Sequence, residues 1–182
     1  MASDEQTPVT FVVQYLGKRD ARGLWGIKYT RQPVDELVLE ARSLKPGVTL
    51  PLLKLQVSSE GLTVREMPQN TNPNFEAGLF PIDSISYGVQ DLVYTRVFAM
   101  IFLRDSPNVY EVHPFECHAF VCDARQSARS LTLALASAFQ EFGKIVKKEG
   151  GKKKPNKFAI DLRSAEEIQA ELRGNFTDHS NV

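Results

Sequence analysis

The chain has 182 residues, 42% hydrophobic and 24% charged, enough for one domain with a sizeable core plus polar tails. Its 22 Lys and Arg balance 22 Asp and Glu, so the whole-molecule field favours neither nucleic acid nor an acidic partner. No apolar run reaches the roughly 20 residues needed to cross a bilayer. Two cysteines are too few for a disulfide framework.

The opening MASDEQTPVT is acidic and polar, unlike a secretory leader, and an intracellular, cytoplasmic protein is expected. Residues 1–8 are expected to be disordered. Residues 9–16 (VTFVVQYL) are rich in β-branched and aromatic side chains and read as a strand that Gly17 ends. After a loop with Gly23 and Gly26, the period changes. Val34, Leu37, Val38, Ala41 and Leu44 share one helical face, with Pro33 suited to the first turn and Pro46-Gly47 as the stop. Leu53, Leu55 and Val57 then alternate with polar residues. Glu60-Gly61 makes a turn, and residues 62–67 alternate again, so the pair reads as a hairpin.

Residues 68–78 read as a loop. Two further strands follow at 82–89 (IDSISYGV) and 97–103 (VFAMIFL), then short ones at 109–112 and 117–122, with Pro114 marking a break. In residues 124–150, Ala128, Leu131, Leu135, Ala138, Phe139, Phe142, Ile145 and Val146 recur at three- and four-residue intervals. This is one apolar stripe on a helix of about seven turns. Lys147 and Lys148 favour its C-terminal end electrostatically, and Gly150-Gly151 stops it. One strand, a helix, about six strands and a long helix make an α+β domain over 9–150, its strands curled into two packed layers with the long helix closing the open end. Past it, residues 151–182 read as a basic linker and tail. The pattern Ser164-x-x-Glu167 is a capping box for a short helix over 164–173.

That order of elements resembles the phosphotyrosine-binding (PTB, or PID) domain of adaptor proteins such as Shc, Numb and Dab. The matching words are Tyr15-Leu16-Gly17, the run LKLQVSSEGL at 53–62, and Ile85-Ser86-Tyr87 with Asp91 downstream. Phe98-Ala99, Cys117-His118-Ala119-Phe120 and Ser137-Ala138-Phe139 with Phe142 complete them. Together they span roughly residues 9–149. The resemblance implies a pleckstrin-homology-like, partly open antiparallel sandwich or barrel of about seven strands. It also implies a non-catalytic signalling or endocytic adaptor that binds cytoplasmic receptor tails carrying Asn-Pro-x-Tyr or Asn-Pro-x-Phe. Such a tail adds as a strand to the fifth strand, in the groove beside the last helix.

By that resemblance the peptide site comprises Ile85, Ser86, Tyr87, Gly88, Val89 and Phe139. The mode makes physical sense, since an edge strand keeps unpaired N–H and C=O groups until a peptide supplies partners. Small residues at Ser86 and Gly88 allow close approach, while Ile85 and Tyr87 are expected to send side chains to the core. Where phosphotyrosine-dependent members carry an arginine, this chain has Phe115. A neutral aromatic cannot supply the bidentate bond that phosphate requires, so recognition without phosphorylation is expected, with Arg96 and Arg104 as the remaining candidate substitutes.

Three other features carry competing readings. Lys152, Lys153 and Lys154 are first a solvated linker. The functional alternative is a phosphoinositide membrane, with about 1 kcal/mol of attraction per lysine near an anionic surface. A nuclear-import signal, or a structural subunit that lends its groove to a protein partner, are further alternatives. Cys117, His118 and Cys122 do not converge, because Cys117 and His118 point to opposite faces of a strand, so no metal site or cofactor is expected. Asn72-Pro73-Asn74-Phe75 has the form of the family's own ligand, but Asn-Pro also simply starts turns.

Overall fold

A computed structural model describes residues 8–68, 78–103, 115–148 and 159–180, with the side chains of 173–180 excepted. The elements are β1 (Val9–Asp20), α1 (Arg31–Arg42), β2 (Leu52–Ser58), β3 (Gly61–Glu66), β4 (Gly78–Pro81), β5 (Ile85–Gln90), β6 (Val97–Leu103), β7 (Phe115–Val121), α2 (Arg125–Lys148), β8 (Ile160–Asp161) and α3 (Ala165–Ser180). The strands form one sheet in the order β4-β3-β2-β1-β7-β6-β5-β8. Every pairing is antiparallel except β5 with β8, which is parallel.

Two apolar clusters lie on opposite faces of this sheet. One gathers Leu55, Val64, Phe98 and Phe120 beneath Leu131 and Leu135 of α2. The other packs Val34 and Leu37 of α1 against Ala99, Ile101, Cys117 and Ala119. Strand β6 alternates between the two clusters: Phe98 and Met100 face α2, while Val97, Ala99 and Ile101 face away. Burial on both sides is why its sequence is apolar throughout and does not alternate. Among the described residues, no helix is long and apolar enough to cross a membrane.

Gly17 does not end the first strand. The register of β1 with β7 shifts between Tyr15 and Gly17, and the strand continues to Asp20. Gly17 has φ 129, and a Cβ there would stand 2.9 Å from Leu37 Cδ2, so glycine permits both the bulge and the close seat of α1. Helix α1 begins at Arg31, earlier than Pro33, with Arg31 bonded to Asp35 and to the buried Asp91, each at 2.7 Å.

The hairpin β2–β3 forms as its alternation predicts, pairing Leu55 with Val64 and Val57 with Leu62. The short, half-exposed strand β4 follows the 68–78 stretch and carries little apolar signal of its own. Residues 82–84 are a 3-10 turn, so the fifth strand starts at Ile85. The strand expected at 109–112 and the Asn72–Phe75 word lie outside the described residues. Helix α3 extends beyond the 164–173 expected for it, and Ser164 Oγ accepts from the Glu167 N–H at 3.2 Å, as its capping box requires.

Candidate binding groove

Strand β5 lies near one end of the sheet, with α2 across one of its faces. The expectation that Ile85 and Tyr87 share a face is corrected by a bulge. The pairing with β6 shifts register between them, leaving Ser86 as the extra residue. Ile85 therefore enters the α2-side cluster, whereas Tyr87 and Val89 enter the other. Ser86 is not a bare platform for a peptide. Its hydroxyl donates to the Leu24 carbonyl at 2.7 Å and bonds the Ile101 carbonyl at 3.2 Å, tying the loop after β1 to β5.

The expectation of an unpaired β5 edge is also corrected. Strand β8 pairs Ile160 with Gly88 and Asp161 with Val89, and the Gly88 N–H donates to the Ala159 carbonyl at 2.8 Å. An edge strand beside an apolar groove is a template for any extended segment within reach, and here the chain's own later residues fill it. Ala159 and Ile160 are buried in the same cluster as Ala138 and Phe139 of α2, and Phe139 is only 8% exposed. A Cβ on Gly88 would stand 2.8 Å from Ile160 Cδ1 and 3.1 Å from Phe98 Cζ, so the close approach at Gly88 depends on its missing side chain.

Alternation along β8 sends Asp161 to the other face. Its carboxylate accepts from the Tyr87 hydroxyl at 2.6 Å and from Arg163 Nη2 and Nε at 2.8 and 2.9 Å. Burial works to raise the Asp161 pKa, but the bonds from Arg163 and Tyr87 outweigh it and hold the carboxyl below the ordinary range. Burial, reinforced by Asp161, pushes the Tyr87 phenol up. Arg163 also reaches Glu171 of α3 at 2.5 Å and lies 5.4 Å from the centre of the Trp25 ring. Ile168 and Leu172 pack into the cluster that contains Tyr87 and Trp25.

Phe115 begins β7 half-buried against the α1-side cluster. Arg96 Nε donates to the Cys122 carbonyl at 3.0 Å, while Arg104 lies outside the described residues. Lys152, Lys153 and Lys154 lie outside them too. Cys117 and Cys122 sit in different clusters, and no group of metal-ligating side chains occurs among the described residues. His118 Nδ1 and the Tyr15 hydroxyl are hydrogen-bonded at 2.9 Å, and the imidazole ring lies edge-on to Phe80, which makes it part of the packing.

Sequence reasoning missed Ala159, Ile160, Asp161, Arg163 and Trp25. The alternation in FAIDL, directly ahead of the Ser164 capping box, is the one local signal for a strand there.

A sheet in this order, with the long helix α2 packed beside β5, is an α+β arrangement of pleckstrin-homology-like architecture. The sequence relatives and the fold together support the phosphotyrosine-binding (PTB, or PID) family for this chain. It is 30% identical over 146 residues to the human low density lipoprotein receptor adapter protein 1, covering 79% of this chain and 44% of that protein. The mouse protein of the same name is 30% identical over 148 residues, covering 80% and 44%. The Xenopus laevis adapter protein 1-B is 29% identical over 130 residues, covering 71% and 38%. The chain therefore spans less than half the length of these curated relatives. The solution structure of the C-terminal phosphotyrosine interaction domain of mouse APBB2 superposes with a TM-score of 0.51 at 22% identity. It covers 76% of this chain and 91% of that domain, a likeness of fold. No family model matches the chain.

Proposed function

We propose that this chain is a non-catalytic, cytoplasmic adaptor domain that captures the extended tail of a partner protein, of the Asn-Pro-x-Tyr or Asn-Pro-x-Phe type, as a strand on β5 beside α2. One observation carries this reading: β5 accepts an added strand whose aliphatic side chain is buried in the cluster formed with α2. Main-chain pairing then supplies affinity, and the side chains packed on either face of β5 supply selectivity. The relatives are adapters of the low density lipoprotein receptor by name, which agrees with a receptor-tail ligand. Phe115 is neutral and Arg96 Nε is engaged by the Cys122 carbonyl, which supports reading the peptide without phosphorylation.

The test is a titration of the full chain with an Asn-Pro-x-Phe or Asn-Pro-x-Tyr peptide, the latter with and without phosphate, followed by backbone amide shifts. Shifts across 82–90 of similar size for both tyrosine forms are expected. No shift there for any peptide would overturn the site. A tenfold preference for the phosphorylated form would overturn only the Phe115 argument.

A further inference from the structure

The occupant of the groove is itself informative. We infer that residues 159–172 are a resident ligand of the β5 groove, built into the chain, which a peptide strand from another molecule must displace. The inference rests on the reading of the groove just proposed and adds how the groove is regulated.

Four contacts make the segment a ligand in chemical terms. Its backbone uses the Gly88 N–H, so that donor is not free for a second strand in either direction. Its Ile160 side chain fills the space that the missing Cβ of Gly88 leaves against Phe98 and α2. Its Asp161 carboxylate closes on the Tyr87 hydroxyl and Arg163, while Ile168 anchors α3 at 2% exposure against the Trp25 side of the sheet. A small residue, a branched aliphatic and an acid are thus read in three successive positions. An incoming strand that satisfies Gly88 and the apolar space above it cannot coexist with Ala159 and Ile160. Apparent affinity for such a strand is therefore reduced by the fraction of molecules in which the segment has left.

The full chain is compared with an Ile160→Asp/Asp161→Lys double variant, which alters the segment and leaves β1–β7 and α2 untouched. Amide hydrogen exchange at Gly88 and a synthetic peptide of residues 159–172 are the readouts. In the native chain the Gly88 amide is protected. In the variant its protection falls at least tenfold while the β6 amides keep theirs, and the peptide binds the variant at least tenfold more tightly than the native chain. Retained Gly88 protection in the variant, or equal peptide affinity for both proteins, overturns the inference. Should β6 protection also fall in the double variant, Tyr87→Phe decides. It keeps the buried ring and removes only the hydroxyl, and it is expected to lower Gly88 protection several-fold; unchanged protection overturns the inference.

An Asn-Pro-x-Phe peptide forms a separate arm. Tighter binding to the variant supports displacement, and equal binding to both overturns it. Binding to neither form defeats the proposed ligand class while Gly88 exchange still decides whether the segment is resident.

Discussion

At Gly61 the backbone takes φ +136, and a Cβ there would stand 2.1 Å from the Phe80 carbonyl oxygen and 2.8 Å from the Ile82 nitrogen. Both obstacles are main chain, which cannot rotate aside. Gly61→Ala is therefore expected to lose at least about 1–3 kcal/mol from backbone strain alone, read as a lower urea midpoint with an unchanged slope. The cysteines make a second prediction at this scale. Burial, with Asp91 beside it, pushes the Cys117 thiol up to about 12, and burial, with Asp123, pushes Cys122 up to about 11. The thiolate is the reactive form, so neither should be alkylated by iodoacetamide at pH 8 in the folded chain, and both should react in urea. Mass spectrometry of the two samples checks it. Labelling of native Cys117 would contradict its placement between β6, β1 and the α1-side cluster.

Among the elements, α2 shows how one stripe is divided. Leu131 and Leu135 are fully buried under the sheet, whereas Leu133, between them in sequence, is 44% exposed. Leu131→Ala is expected to cost about 2–5 kcal/mol as transfer and cavity terms add, and Leu133→Ala to stay within about 0.5 kcal/mol. Chemical denaturation of the two variants distinguishes a helix seated as described from one rotated by about half a turn. The stripe was legible because side chains at three- and four-residue spacing must share a helix face. The bulges at Leu16 and Ser86 were not. Each depends on what a neighbouring strand and helix require of the backbone, and nothing in the local apolar pattern records it.

For the whole molecule, the seat of the 159–172 segment should be sensitive to acid. The closed arrangement holds Asp161 below the ordinary carboxylate pKa, so it binds fewer protons than the open one. Closure is thus fully favoured above about pH 4 and weakens as pH falls through the depressed value. The groups around that carboxylate are Tyr87 from β5 and Arg163, which in turn holds Glu171. Trp25 is the only tryptophan in the chain and lies beneath the Arg163 guanidinium. Its emission is expected to shift to the red below about pH 4, ahead of any loss of far-ultraviolet circular dichroism. Asp161→Asn should lack that early step, and Glu171→Gln should keep it. A single transition shared by all three proteins would show that the segment does not move separately from the domain.

By itself the sequence determined the class of fold, the two helices packed on the sheet, the hairpin, the sixth strand and the buried face of α2. These follow from periodicity and from side chains that must leave water, which are local properties. It also carried the resemblance to a family, through words distributed along the chain in a fixed order. The tertiary structure alone decided that β6 is covered on both faces and that Ile85 and Tyr87 diverge across a bulge. It alone placed residues 159–161 on the β5 edge. A two-residue strand has almost no periodicity to read, and its energy comes from the Gly88 amide and the Tyr87 hydroxyl, both more than seventy positions away, and from the apolar floor beneath α2. Such contacts exist only once the sheet has been assembled, which is why the groove was legible and its occupant was not.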